Sequence, residues 1–266
     1  TADQRETYVT SLCQDIRAYA DLAKAYRVIS IFVGGGTPSI LTAEQMERIF
    51  EAVRETFYVE KDAEITVEMN PGTVDADKLS GYKRCGINRL SIGLQSTKNR
   101  ELQILGRIHT YEEFVETYQL ARTEGFENIN IDLMSAIPGQ RLVDWEESLR
   151  VVAKLGPEHI SAYSLIVEEG TPFYEEYGEG RHAEELPDEE TERKMYWRTK
   201  EILKEYGYMR YEISNYAKPG YECRHNIGYW ERTEYLGIGT GAASLINNSR
   251  FNYGEEPEKL TVSAQM

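Results

Sequence analysis

Apolar, β-branched runs alternate with amphipathic helical stretches along most of this chain, and that alternation narrows the possible folds more than any other feature. "VISIFV" (residues 28–33) has the composition of a buried strand. A helical stripe of Met46, Ile49, Phe50, Val53 and Phe57 follows it. Residues 63–71 read as the next strand, stopped by Pro-Gly. A short helix around Leu79 and Tyr82 then leads to a strand over 88–96. The rhythm continues through a helix containing Phe114 and Ala121, a strand over 128–134, a helix with Trp145, Leu149 and Val152 on one face, and a strand over 159–167. Two capping boxes, Thr42 with Gln45 and Thr110 with Glu113, mark where two of the helices begin. Alternating β and α elements of this length predict an α/β fold built on a parallel sheet, curled or open.

The two ends of the pattern differ from its middle. The chain opens on a helix with Tyr8, Leu12, Ile16 and Tyr19 on one face, which raises the expectation of a strand before it. From Gly170 the alternation breaks. The charged stretch "EEYGEGRHAEELPDEETER" predicts a solvent-facing loop before a helix through Met195, Ile202 and Leu203. Residues 1–168 are expected to form one unit, and 169–266 an α+β extension packed upon it. The closing "GEEPEKLTVSAQM" does not read as a natural finish, so a longer parent sequence is expected.

Composition excludes several function classes. A formal net charge of -15 argues against nucleic acid as the main partner, because phosphate binding needs a positive surface. The sequence contains neither a long uninterrupted apolar run nor a leader-like N-terminus. Cys13, Cys85 and Cys223 are odd in number and widely spaced, which gives neither a disulfide framework nor a metal motif. A reducing, cytoplasmic setting is expected.

The functional signal lies at the carboxyl ends of the expected strands. They end in "GGGT" (Gly34 to Thr37), Glu68, Gln95, Asp132 and Ser164. A single Gln or Asp there is ordinarily a loop anchor. Five such ends in successive strands point to a site, because barrel strands converge their carboxyl ends on one mouth. Adjacent glycines expose backbone groups to a ligand, Glu68 suits an ammonium group or ribose hydroxyls, and Arg107 suits a carboxylate. The set fits a ligand carrying an amino acid and a nucleoside. The glycines have neither the G-x-G-x-x-G spacing nor the lysine of a phosphate loop.

"FVGGGTPSIL", "RLSIGLQS", "LGRIHT", "NINIDLMSAIPGQ", "YEISNYAKPGYECRHNIGYW" and "YLGIGTGAAS" together resemble the radical S-adenosylmethionine (SAM) proteins related to oxygen-independent coproporphyrinogen III oxidase. Among these they are most similar to the HemW-type heme chaperones. The likeness covers roughly residues 29–244 and implies a partial (β/α)6 barrel with SAM at its mouth. By this resemblance Gly35, Gly36, Thr37, Glu68, Gln95, Arg107, Asp132, Ser164 and Ala243 are SAM contacts. It also implies a [4Fe–4S] cluster held by a C-x3-C-x2-C loop. No such motif stands in this sequence, and its cysteines, with the first barrel strand, are expected before Thr1. "HNIGYW" (residues 225–230) resembles an element of the chaperone branch, which makes His225 a candidate heme ligand and Cys223 a weaker one. The alternative role for His225 and Asn226 is to fix a turn. The function implied is heme binding and transfer to an acceptor protein; the alternative is an enzyme decarboxylating coproporphyrinogen III.

Overall fold

The computed structural model describes residues 2–253. The closing segment discussed above, and with it the end of the expected 169–266 unit, lies outside the described residues. The chain begins with helices α1 (Ala2–Ala18) and α2 (Ala20–Ala23), and strand β1 (Arg27–Val33) follows. Next come α3 (Ala43–Thr56), β2 (Tyr58–Met69), α4 (Ala76–Arg84) and β3 (Arg89–Gln95). Helices α5 (Asn99–Ile104) and α6 (Tyr111–Thr123), strand β4 (Ile129–Ser135), helix α7 (Leu142–Leu155) and strand β5 (His159–Ser164) complete the alternation. Beyond it lie α8 (Pro172–Tyr177), α9 (Glu189–Glu205), β6 (Met209–Arg210), β7 (Asn215–Ala217), α10 (Arg224–Trp230) and the hairpin of β8 (Ala243–Ile246) with β9 (Ser249–Asn252).

Strands β1 to β5 pair in sequence order and in parallel. The sheet curls into a half-barrel, and β7 then β6 extend it antiparallel beyond β5. The sheet therefore runs continuously across residue 168. Both expected capping boxes form, with each Thr side chain accepting from the N3 backbone and each N3 side chain accepting from the N-cap N–H. Such caps stabilise a helix start by about 1 kcal/mol each.

Strand side chains alternate between two faces, and here the two faces differ in chemistry. Val67 and Met69 on β2, Leu90, Ile92 and Leu94 on β3, Ile131 and Leu133 on β4, and Ile160 on β5 are buried outward, under the helices. Phe50, Tyr82, Phe114, Trp145 and Ile202 meet them from α3, α4, α6, α7 and α9. Trp145 also ties α7 to α9, donating from Nε1 to Thr199 Oγ1 at 2.9 Å. The inward series is polar: Glu64, Thr66 and Glu68; Arg89, Ser91 and Gln95; Asn130 and Asp132; His159, Ser161 and Tyr163.

Two elements depart from expectation. Strand β1 is not a buried strand; it is the edge of the sheet, and Ile29 is exposed. Its composition matches a core strand, but burial depends on neighbours that composition does not specify. Helix α1 buries Val9, Cys13 and Ile16 and leaves Tyr8 exposed. Packing on α3 turns Val9 and Cys13 inward beside Ile16, with Cys13 Sγ 3.6 Å from Arg48 O.

Candidate functional site

A concavity of about 180 Å³ opens at the carboxyl ends of the strands. It is lined by Gly36 and Thr37, by Glu68 and Asn70, by Ser91, Gly93 and Gln95, and by Arg107, Asp132 and Tyr163. Six of the expected site residues are thus brought together: Gly36, Thr37, Glu68, Gln95, Arg107 and Asp132. Gly35 adjoins them through its N–H, which donates to Glu68 Oε2 at 3.1 Å.

The glycine turn divides its three residues between two tasks. Gly35 and Gly36 have φ of +80° and +131°, and a Cβ on either would meet nothing within 4 Å. Their requirement within the protein is conformational. Gly34 is the position of close approach: a Cβ there would lie 2.8 Å from Glu68 Oε2. The approach expected at Gly35 and Gly36 is to a ligand, whereas the close approach at Gly34 is to the protein's own Glu68.

Two carboxylates share the pocket under strain. Burial raises the pKa of Glu68, the Gly35 N–H opposes that shift, and the charge of Asp132 adds to it. Burial likewise raises Asp132, against donors from Asn130, Ser161 and Ser91 and the field of Arg89. The Arg107 guanidinium lines the same concavity. Gln95 is 4% exposed and sits at φ +75°, an uncommon conformation for a residue other than glycine that costs of order 1–3 kcal/mol and gathers at functional sites. The Tyr163 hydroxyl donates to its Oε1 at 2.8 Å, fixing the amide. His109 supports the neighbouring turn through a buried contact of 3.2 Å between Nε2 and Leu94 O.

Ser164 and Ala243 are not brought into the pocket. The pleat that turns Tyr163 inward turns Ser164 outward, where its hydroxyl donates to Glu192 at 3.3 Å. Ala243 lies on β8 and lines a second cavity of about 520 Å³, with Tyr229, Arg232, Tyr235, Leu245, Asn248 and Arg250. His225 is also apart from the first pocket, on α10. Its Nδ1 lies 3.1 Å from Ser30 Oγ and its Nε2 3.2 Å from Tyr229 Oη. Its ring stacks on Phe32 with centroids 5.1 Å apart. Burial lowers its pKa, so the ring is neutral near pH 7. Glu64 caps the start of α10, accepting from Arg224 N at 3.0 Å, His225 N at 3.1 Å and Cys223 Sγ at 3.2 Å. Burial pushes the Cys223 thiol up to about 11, which suits a structural cysteine rather than a reactive one.

The Radical SAM superfamily model matches residues 3–152. The chain belongs to the radical SAM superfamily. Among curated proteins it is similar to the heme chaperone HemW of Escherichia coli, 40% identical over 241 residues, 91% of this chain and 62% of the relative. It is 38% identical to the heme chaperone HemW of Synechocystis over 244 residues, 92% of this chain and 58% of the relative. The solved structure of E. coli coproporphyrinogen III oxidase, a radical SAM enzyme, matches with a TM-score of 0.77 at 26% identity, over 91% of this chain and 58% of that one. The chain thus spans about three-fifths of the length of the proteins it matches.

Membership in this superfamily implies SAM and a [4Fe–4S] cluster. The chemistry of the first pocket suits SAM: two desolvated carboxylates, Glu68 and Asp132, match an ammonium or ribose hydroxyls, Arg107 matches a carboxylate, and the Gln95 amide is fixed by Tyr163. The described residues do not fit the cluster, which needs three converging thiolates. Cys13, Cys85 and Cys223 are all buried, on α1, after α4 and before α10, and no trio of cysteines lies close enough to share an ion. No helix among the described residues is long and apolar enough to cross a membrane.

Proposed function

We propose that this chain is the barrel portion of a HemW-type heme-handling protein, with SAM at the strand ends and heme or a related porphyrin at the C-terminal segment. Glu68, Gln95, Arg107, Asp132 and the turn from Gly35 to Thr37 would hold SAM, the carboxylates facing its ammonium or ribose and Arg107 its carboxylate. The group itself supplies radical chemistry when reduced at a cluster; the residues here orient it and exclude water.

The observation that carries the heme reading is the tethering of His225. Its Nδ1 is engaged by Ser30 in a part-buried contact and its Nε2 meets Tyr229 in an exposed one, so Nε2 is the nitrogen turned towards the surface. A neutral imidazole oriented through its other nitrogen is the usual arrangement of a histidine ligand to iron. Exchange of the Tyr229 hydroxyl for iron would free Nε2. Tyr229 and Trp230, 49% and 58% exposed, offer aromatic faces, and the adjoining cavity adds Arg232 and Arg250 as partners for propionates. Heme transfer would require an acceptor protein docking on this side.

Hemin titration of the wild-type chain and of His225→Ala tests the reading. A Soret band that shifts and weakens in the variant, with SAM binding unchanged, is the expected result. An identical Soret band in both, with a lower melting temperature for the variant, would return His225 to a structural role. The fold match to the oxidase supports a second reading, which anaerobic turnover of coproporphyrinogen III by the full-length protein would reveal as decarboxylated product.

A further inference from the structure

A directed chain of hydrogen bonds leaves Asp132 and runs through the polar interior of the half-barrel. Asn130 Nδ2 donates to Asp132 Oδ1 at 2.7 Å and to Ser91 Oγ at 2.8 Å. The reverse amide orientation would set a carbonyl against a carboxylate, so Oδ1 faces the other way. There it lies 2.6 Å from His159 Nδ1 and accepts from Ser161 Oγ at 3.1 Å. A carbonyl oxygen only accepts, so the proton of His159 is on Nδ1.

The remaining links follow from that tautomer. Burial, with repulsion from the Arg89 guanidinium, holds His159 well below the ordinary histidine pKa. The ring is therefore neutral and Nε2 is an acceptor. The Tyr211 hydroxyl, 2.7 Å away, donates to it; burial raises the pKa of Tyr211, so the proton stays. Tyr211 Oη in turn accepts from Cys223 N at 3.3 Å and Asn226 Nδ2 at 3.5 Å. Each donor in this chain points towards Asp132, and its far end is the first turn of α10.

We propose that His159, acting through Asn130, is a positioning residue for the pocket carboxylate Asp132, and that Tyr211 ties this position to α10. The proposal rests on the assignment of Asp132 to the SAM pocket. Its physical content is pre-organisation: inward donors hold the carboxylate in one rotamer and leave its other lone pairs for the ligand. Without the imidazole N–H, the Asn130 carbonyl keeps only the 3.1 Å contact from Ser161, whose hydroxyl also meets Asn215 Oδ1 at 2.6 Å, and the amide is held less firmly against Asp132.

Two substitutions separate positioning from simple packing. His159→Phe keeps the ring volume and removes both polar atoms. His159→Gln keeps a donor for Asn130 and an acceptor for Tyr211. SAM titration should show affinity falling by roughly tenfold or more in the Phe variant, as expected for one misdirected hydrogen bond to a charge. The Gln variant should stay within about threefold of wild type. Wild-type affinity in a folded Phe variant would overturn the proposal, as would equal losses in both variants that track their melting temperatures. If the Phe variant does not fold, the long-range 1H–15N spectrum of the wild type decides: a neutral His159 protonated on Nδ1 is expected, and an Nε2–H tautomer or an imidazolium at pH 7 refutes it. A wild type that binds no SAM would sink the pocket assignment, whereas the spectrum would still judge the hydrogen-bond chain.

Discussion

Replacing Gly34 with alanine separates the position of a carboxylate from the stability of the turn that holds it. Gly34 is not among the glycines with positive φ, so alanine can adopt its backbone. The new Cβ would lie 2.8 Å from Glu68 Oε2, 2.9 Å from Cδ and 3.1 Å from Oε1, and the carboxylate must swing away. The swing breaks the 3.1 Å bond from Gly35 N, a charge-assisted contact worth about 1.5–3 kcal/mol. Two effects offset that loss in the ligand-free protein. The displaced carboxylate regains water, reversing the burial that raises its pKa. Alanine also narrows the unfolded ensemble, by about 0.4–1 kcal/mol. Net stability should therefore stay within about 1 kcal/mol of wild type, a change of roughly 2–4 °C in Tm. SAM has no such compensation, and losing its Glu68 contact should weaken binding about ten- to hundredfold. Thermal melts and calorimetric SAM titration read the two quantities separately. Wild-type affinity in folded Gly34→Ala would refute the claim that this glycine places Glu68 for a ligand. Gly35→Ala is the complementary control: at φ +80° with open space around its Cβ, it should cost about 1–2 kcal/mol of stability. A loss of SAM binding there would show that the ligand itself approaches Gly35.

Burial raises the pKa of both Glu68 and Asp132, so the folded protein takes up their protons at higher pH than the unfolded chain. Their contribution to stability grows as pH falls through those raised values, and is complete below the ordinary carboxylate range near 4. Glu68→Gln keeps an acceptor for Gly35 N–H; melts across pH should show a higher Tm at pH 7 and a smaller gain on acidification, and an unchanged pH profile would contradict this. Anaerobic reconstitution of this 266-residue chain with iron and sulfide should leave no stoichiometric [4Fe–4S] absorption, since its three cysteines are buried apart. A full complement of cluster would show that those cysteines can converge after all.

The fold was legible where local chemistry decides it. Thr42 and Thr110 announced their helices because a capping box is complete within four residues, and the β-branched runs announced strands because propensity and period agree. The edge position of β1 and the buried face of α1 were not legible, since both depend on which surface a neighbour covers. At the site, Glu68, Gln95 and Asp132 could be read as polar ends of strands, whereas Arg107, in the turn between α5 and α6, was legible only through the resemblance of "LGRIHT" and its fit to a carboxylate. Tyr163 was missed in favour of Ser164 because the phase of the pleat was not carried to the end of β5. The same phase was available in the sequence: Glu64, Thr66 and Glu68, then Arg89 and Ser91, Asn130 and Asp132, His159 and Ser161 are polar at every second residue within otherwise apolar strands. That series marks a polar interior, and it would have found Asn130 and His159. The role of Gly34 was not legible, because it depends on a side chain 34 positions further along, brought beside it by the parallel register of β1 and β2.

The central claim, that the strand ends of this half-barrel form a SAM pocket, is tested most directly by a crystal structure of the chain soaked with SAM. The account predicts the amino-acid and ribose portions within hydrogen-bond distance of Glu68, Gln95, Arg107 and Asp132, with the Gly34 to Thr37 turn alongside. SAM bound elsewhere, with water alone between these four side chains, would contradict it.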